Sequence, residues 1–107
     1  MAVVELNSEN FEAEVRKSDI PVIIDFYADW CGPCQMMRPV FESLSEDYKG
    51  KLKFGKLDTD ESSDIASEFD VSAIPCLVIV KKGKEIERIT GFASRTILKQ
   101  KLDKITK

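Results

Sequence analysis

The residues best suited to chemistry lie in one short stretch, Trp30-Cys31-Gly32-Pro33-Cys34. An extended apolar run, residues 21–28, feeds into it. A helical pattern of apolar residues leaves it: Met37, Val40, Phe41, Leu44, Tyr48. A Cys-x-x-Cys at a strand-to-helix junction sets its first sulfur against a helix N-terminus, where unpaired backbone N–H groups and the macrodipole favour negative charge. The second sulfur follows one turn later, within reach of a disulfide. Such a pair can cycle between dithiol and disulfide, although zinc sites use the same spacing. Asp25 stands out beside it, a carboxylate amid Val22, Ile23, Ile24, Phe26 and Tyr27. Burial there is costly unless the group is paired or protonated, and desolvation raises its pKa toward the range of a useful base. The chain has no histidine, so few other bases are available.

The elements around these residues read in order. Val3 to Leu6 forms a short strand. Ser8 caps a first helix that carries Phe11 and Val15 on one face. Residues 21–28 are apolar on both faces except at Asp25, as a doubly covered central strand should be. The helix after Cys31 runs to about Tyr48 with Pro39 inside it, a residue expected to kink it. Lys51 to Leu57 is a strand, and a helix from about Ser62 to Phe69 turns Ile65, Ala66 and Phe69 inward. Cys76 to Val80 and Glu85 to Thr90 form a hairpin around Lys82-Gly83. Ser94 caps a last helix with Ile97, Leu98, Leu102 and Ile105 on its buried side. Alternating strands and helices ending in a hairpin give an α/β fold, a mixed sheet covered on both faces.

Composition narrows the class. A chain of 107 residues, 43% of them apolar, suits one domain, residues 1–107, with one modest core. A net charge of −3 with interspersed signs gives nucleic acid nothing to hold. No run approaches membrane-spanning length. Met-Ala-Val-Val-Glu lacks the features of a signal peptide, and three cysteines make no disulfide framework, so a reducing, cytoplasmic setting is expected. The lysines at 81, 82 and 84 read as a solvated hairpin tip. Those at 99, 101, 104 and 107 suit the C-terminal end of a helix. With no glycine-rich nucleotide fingerprint or Walker sequence, no cofactor is expected and reducing equivalents must come from another protein.

The chain resembles the thioredoxin family over nearly its whole length. Trp30-Cys31-Gly32-Pro33-Cys34 matches its active site, with Asp25 in the strand before, Pro39 in the helix after, and Ile74-Pro75 about forty residues on. Gly83 and Gly91 fall in the expected turns. The resemblance implies a thioredoxin-like fold, a central mixed five-stranded sheet with helices on both faces. It implies a protein-disulfide reductase that works by dithiol–disulfide exchange and is re-reduced by a thioredoxin reductase, acting on disulfide-containing clients as a monomer. Cys31 attacks and Cys34 resolves the mixed disulfide. Asp25 takes the Cys34 proton, with Lys56 as its charge partner. Gly32 and Pro33 shape and tune the couple. Pro75 is expected to be cis, and Ile74, Pro75, Trp30, Gly91 and Phe92 form the client platform, in part by strand addition.

Acidity alone does not make Cys31 fast. A free cysteine of pKa about 8.5 is about 3% thiolate at pH 7, against about half for the pKa near 7 that the family resemblance implies. The lower basicity returns about fivefold in nucleophilicity, which leaves a net gain of about threefold. Positioning must supply the rest. Three residues depart from the family pattern. Cys76 stands where Thr is common, either a small packed residue or a third thiol open to oxidation. Gln35 replaces a basic residue, and Tyr27 replaces a Trp. Three rival readings are an oxidant or isomerase, a metal-binding module using Cys31, Cys34 and Cys76, and a scaffold that holds a partner without exchange. Gly-Pro between the cysteines speaks against the first, and three ligands without histidine suit zinc poorly.

Overall fold

The computed structural model describes residues 3–107. Five strands form one sheet: β1 (Val3–Leu6), β2 (Val22–Tyr27), β3 (Lys53–Asp58), β4 (Cys76–Lys81) and β5 (Lys84–Thr90). Their spatial order is β1-β3-β2-β4-β5, so β2 lies at the centre. β1 and β2 run parallel to β3, while β4 runs antiparallel to both β2 and β5. The sheet is mixed, as the sequence predicts. Three α-helices accompany it: α1 (Gly32–Asp47), α2 (Ser63–Glu68) and α3 (Arg95–Ile105).

Every residue of β2 is buried, because both faces of the sheet are covered. Val22, Ile24 and Phe26 pack with Phe11, Val15, Ile65 and Ala66 on the side of α2. Ile23 packs on the other side with Met37, Phe41 and Leu44 of α1 and with Leu98 and Leu102 of α3. Side chains alternate along a strand, so Asp25 and Tyr27 share the α1 face with Ile23. α1 runs unbroken through Pro39. It is anchored by Phe41 on Phe54, with ring centroids 4.9 Å apart.

The turns follow their residue types. Lys82 and Gly83 both take positive φ, 52° and 81°, the conformation of a two-residue hairpin turn matched to strand twist. Gly55 in β3 is required for a different reason. A Cβ there would lie 2.5 Å from the Leu6 side chain, so β1 closes onto the sheet only over a bare backbone.

Two local expectations are corrected. Ser8 does not cap the first helical segment. Its hydroxyl donates to Asp64 at 2.8 Å; the Asn7 side-chain oxygen accepts from the N–H groups of Glu9 and Asn10 in the turn before the segment, whose own N-cap, Phe11, makes no side-chain cap bond. The segment itself is a short π-helical turn, Glu12–Arg16, which still buries Val15. In α3 the Ser94 hydroxyl does accept from the Ile97 N–H. Ile97, however, is 46% exposed. It lies about 100° around the helix from Leu98, off the stripe through Leu98, Leu102 and Ile105.

Candidate active site

Cys31 is the N-cap of α1, in extended conformation at φ −89° and ψ 110°. The N–H of Cys34 donates to its sulfur at 3.2 Å. Pro33 in the first turn has no N–H to leave unsatisfied. Cys31 and Cys34 are joined as a disulfide with their Cα atoms 5.2 Å apart. Both are largely covered, Cys31 at 5% exposure and Cys34 at 2%. The sulfur of Cys31 also lies 3.8 Å from the carbonyl of Ile74.

The Ile74–Pro75 bond is cis, as the family resemblance implies. The N–H of Gly91 donates to the Pro75 carbonyl at 2.7 Å, which ties the turn after β5 to the loop facing the sulfur. Gly91 holds φ at +88°, a conformation that an L side chain rarely adopts. Trp30 and Phe92 present apolar surface at 71% and 46% exposure. The Trp30 indole N–H donates to Asp60 at 2.9 Å, so this side chain is held although exposed. Met36 is exposed in the same first turns of α1 and went unnoticed in the sequence. Met36 and Met37 are about 100° apart on the helix, so the two cannot share one buried face. Gln35 donates from its side chain to the Asp29 carbonyl at 2.8 Å, bracing the loop before Cys31.

Asp25 is 4% exposed, and its Oδ1 has no hydrogen-bond partner. Burial raises its pKa from 3.8 to about 7, opposed first by the positive charge of Arg38 and then by that of Lys56. Lys56 is its register neighbour on β3, with Glu5 next on β1. The Lys56 charge acts on Asp25 from the neighbouring strand, while its ammonium also forms an ion pair with Glu5, at 3.6 Å. The Tyr27 hydroxyl donates to the other Glu5 oxygen at 3.2 Å. Arg38 was missed, although its position four residues after Cys34 puts both on one helical face.

Cys76 is buried at 2% exposure in the layer of Phe26 and Val78, across the sheet from α1. Burial pushes its thiol pKa up. Its position in sequence suggests nearness to the active pair, but β4 turns its side chain to the opposite layer. The three cysteines therefore do not converge on one point.

A dithiol–disulfide pair at a helix N-terminus, a cis-proline loop against its first sulfur and a buried carboxyl on the strand beneath define a thiol–disulfide oxidoreductase. The family model described as Thioredoxin matches residues 2–104. The chain is 40% identical over 103 residues to Thioredoxin 1 of Nostoc sp. (strain PCC 7120 / SAG 25.82 / UTEX 2576), covering 96% of each. It is 39% identical over 104 residues to the thioredoxin of Staphylococcus haemolyticus, covering 97% of this chain and 98% of that one. It is also 40% identical over 99 residues to the chloroplastic M-type thioredoxin of Chlamydomonas reinhardtii, covering 92% of this chain and 71% of that one. The chain belongs to the thioredoxin family and is a protein-disulfide reductase. Among the described residues, no helix is long and apolar enough to cross a membrane.

Proposed function

We propose that this chain works as a monomeric, single-domain cytoplasmic reductant of client-protein disulfides, recharged by a thioredoxin reductase. The observation that carries the order of events is the Cys34 N–H on the Cys31 sulfur, with Cys34 the more covered of the two. In the reduced protein that N–H and the helix terminus favour a thiolate on Cys31. Cys31 attacks one sulfur of the client disulfide. A new S–S bond forms, the client S–S bond breaks, and the released client sulfur leaves as a thiolate that takes a proton from solvent.

Cys34 then gives its proton to Asp25 and attacks Cys31. The mixed disulfide breaks, the Cys31–Cys34 disulfide forms, and the second client sulfur leaves and is protonated. The client has gained two electrons and the chain has lost two. Support for Asp25 as the base is its burial and a pKa near the working pH. Lys56 assists at a distance, through its charge. Gly32 leaves room for the client backbone and Pro33 sets the geometry of the couple. Trp30, Ile74, Pro75, Gly91 and Phe92 hold an extended client segment, with the Ile74 backbone offering strand-like hydrogen bonds. Cys76 stays out of the exchange, packed in the opposite layer. The reducing setting fits the cysteine usage, one redox pair and one buried free thiol.

Turnover of a small protein disulfide with a dithiol as electron source, without reductase, tests this reading. The native chain should turn over quickly, while Cys34→Ser, whose mixed disulfide only the external dithiol can open, should turn over far more slowly and accumulate the covalent adduct. Equal turnover by both would refute the two-step exchange.

A further inference from the structure

The Asp25 carboxyl sits in a row of charge that crosses the sheet on its α1 face. Glu5, Lys56 and Asp25 are consecutive register partners on β1, β3 and β2, and the next partners, Leu77 and Ile89, are apolar. The row is closed at its β1 end. Glu5 takes the Lys56 ammonium on one oxygen and the Tyr27 hydroxyl on the other. Glu5 thus offsets part of the Lys56 charge where it stands. Two opposite charges in contact look from farther away like a dipole, whose field decays faster than that of a lone charge.

Arg38 is the other cation of the cluster. Its guanidinium carbon lies 5.8 Å from the centroid of the Tyr27 ring, and the Lys56 nitrogen lies 5.9 Å from the same centroid. Among the described residues Arg38 enters no ion pair. It is half-buried, so water screens it less than a fully exposed side chain. From α1 the charge that reaches Asp25 is that of Arg38, and from β4 the buried Cys76 thiol in the opposite layer feels the Asp25 charge. From β3 Asp25 meets Lys56 backed by Glu5. From β4, β5 and α3 the same face offers Leu77, Ile89 and Leu98.

We propose that Arg38, one helical turn after Cys34 on α1, is a positioning residue for the resolving step: it is the uncommitted cation of the Asp25 cluster and favours the carboxylate form of Asp25 against the cost of burial. Its influence on Asp25 ranks ahead of that of Lys56, in keeping with the ion pair that occupies Lys56. The inference deepens the proposed exchange and rests on it for its meaning in turnover. The sign is fixed by electrostatics. Removing the cation disfavours the carboxylate, so the Asp25 midpoint rises and less of the base form is present at pH 7. Removing Glu5 releases the full charge of Lys56 and moves the midpoint down.

Carbon-13 NMR titration of the Asp25 carboxyl in the oxidised protein reads this directly, and the same spectra verify that each variant is folded. Arg38→Gln should raise the midpoint from about 7 by about half a pH unit or more, and farther than Lys56→Gln does. Arg38→Lys should restore most of the native value, and Glu5→Gln should lower it. A midpoint unchanged by Arg38→Gln, or moved farther by Lys56→Gln, overturns the assignment. No client takes part in this titration, so it stands apart from the base role of Asp25, which turnover of Asp25→Asn tests.

Discussion

At the scale of single residues, Asp25 carries the heaviest physical consequence. Burial raises the pKa of its carboxyl from 3.8 to about 7 in the folded chain. Between those values the folded chain binds the extra proton, so stability falls as pH rises through the interval. Below it both states are protonated and nothing is lost. Above it the full cost applies, about 4 kcal/mol at about 1.4 kcal/mol per pH unit, an upper figure that relaxation and water entry reduce. Urea unfolding of the native chain and Asp25→Asn should therefore show a gap in favour of the variant that widens from pH 5 to pH 8. A gap that stays constant would mean that Asp25 ionises as easily inside as outside. The same variant should release the mixed disulfide more slowly at pH 7, as single-turnover kinetics would show. Cys76 makes the opposite forecast. Buried across the sheet with its thiol pKa raised, it should remain unmodified after mild oxidant when peptides are weighed by mass spectrometry.

At the scale of elements, the large features were legible because they rest on local rules. The apolar run of residues 21–28 is a central strand. The apolar spacing from Met37 to Tyr48 makes one buried helix face, and Ser94 caps α3. The failures came where distant chain decides. Asn7 and Ser8 are both good caps, and only the position of Asp64, 56 residues beyond Ser8, draws Ser8 away. β4 is apolar on both faces, so no alternation in its sequence reveals that Cys76 points to the α2 layer. The pairing of Lys56 with Glu5 depends on strand register across β1 and β3, which one sequence does not encode locally. Arg38 could have been found, since four residues from Cys34 is a helical neighbour. The close approach of β1 to β3 yields an element-scale prediction. Gly55→Ala sets a Cβ 2.5 Å from Leu6 and should cost about 1–3 kcal/mol by chemical denaturation. A cost near zero would mean that β1 can shift without loss.

At the scale of the whole molecule, a rigid sheet covered on both faces presents one reactive end. β2 delivers the loop to Cys31, α1 begins at it, and the Ile74–Pro75 loop and the turn at Gly91 close the opposite side. Trp30 and Phe92 are exposed while the sulfur pair is nearly covered, which fits the proposed docking of a client before exchange. The proposed monomer makes a scattering prediction. Small-angle scattering of the isolated chain should give a radius of gyration close to 12.4 Å, near the roughly 13 Å expected for a compact domain of this length. A value that rises with concentration would point to self-association.

The most direct measurement is peptide mapping of the covalent species formed when reduced Cys34→Ser meets a protein disulfide. With the second thiol gone, the client should remain bound to Cys31 and be freed by added dithiol. Attachment through Cys76, or no adduct at all, would contradict attack by the sulfur at the start of α1.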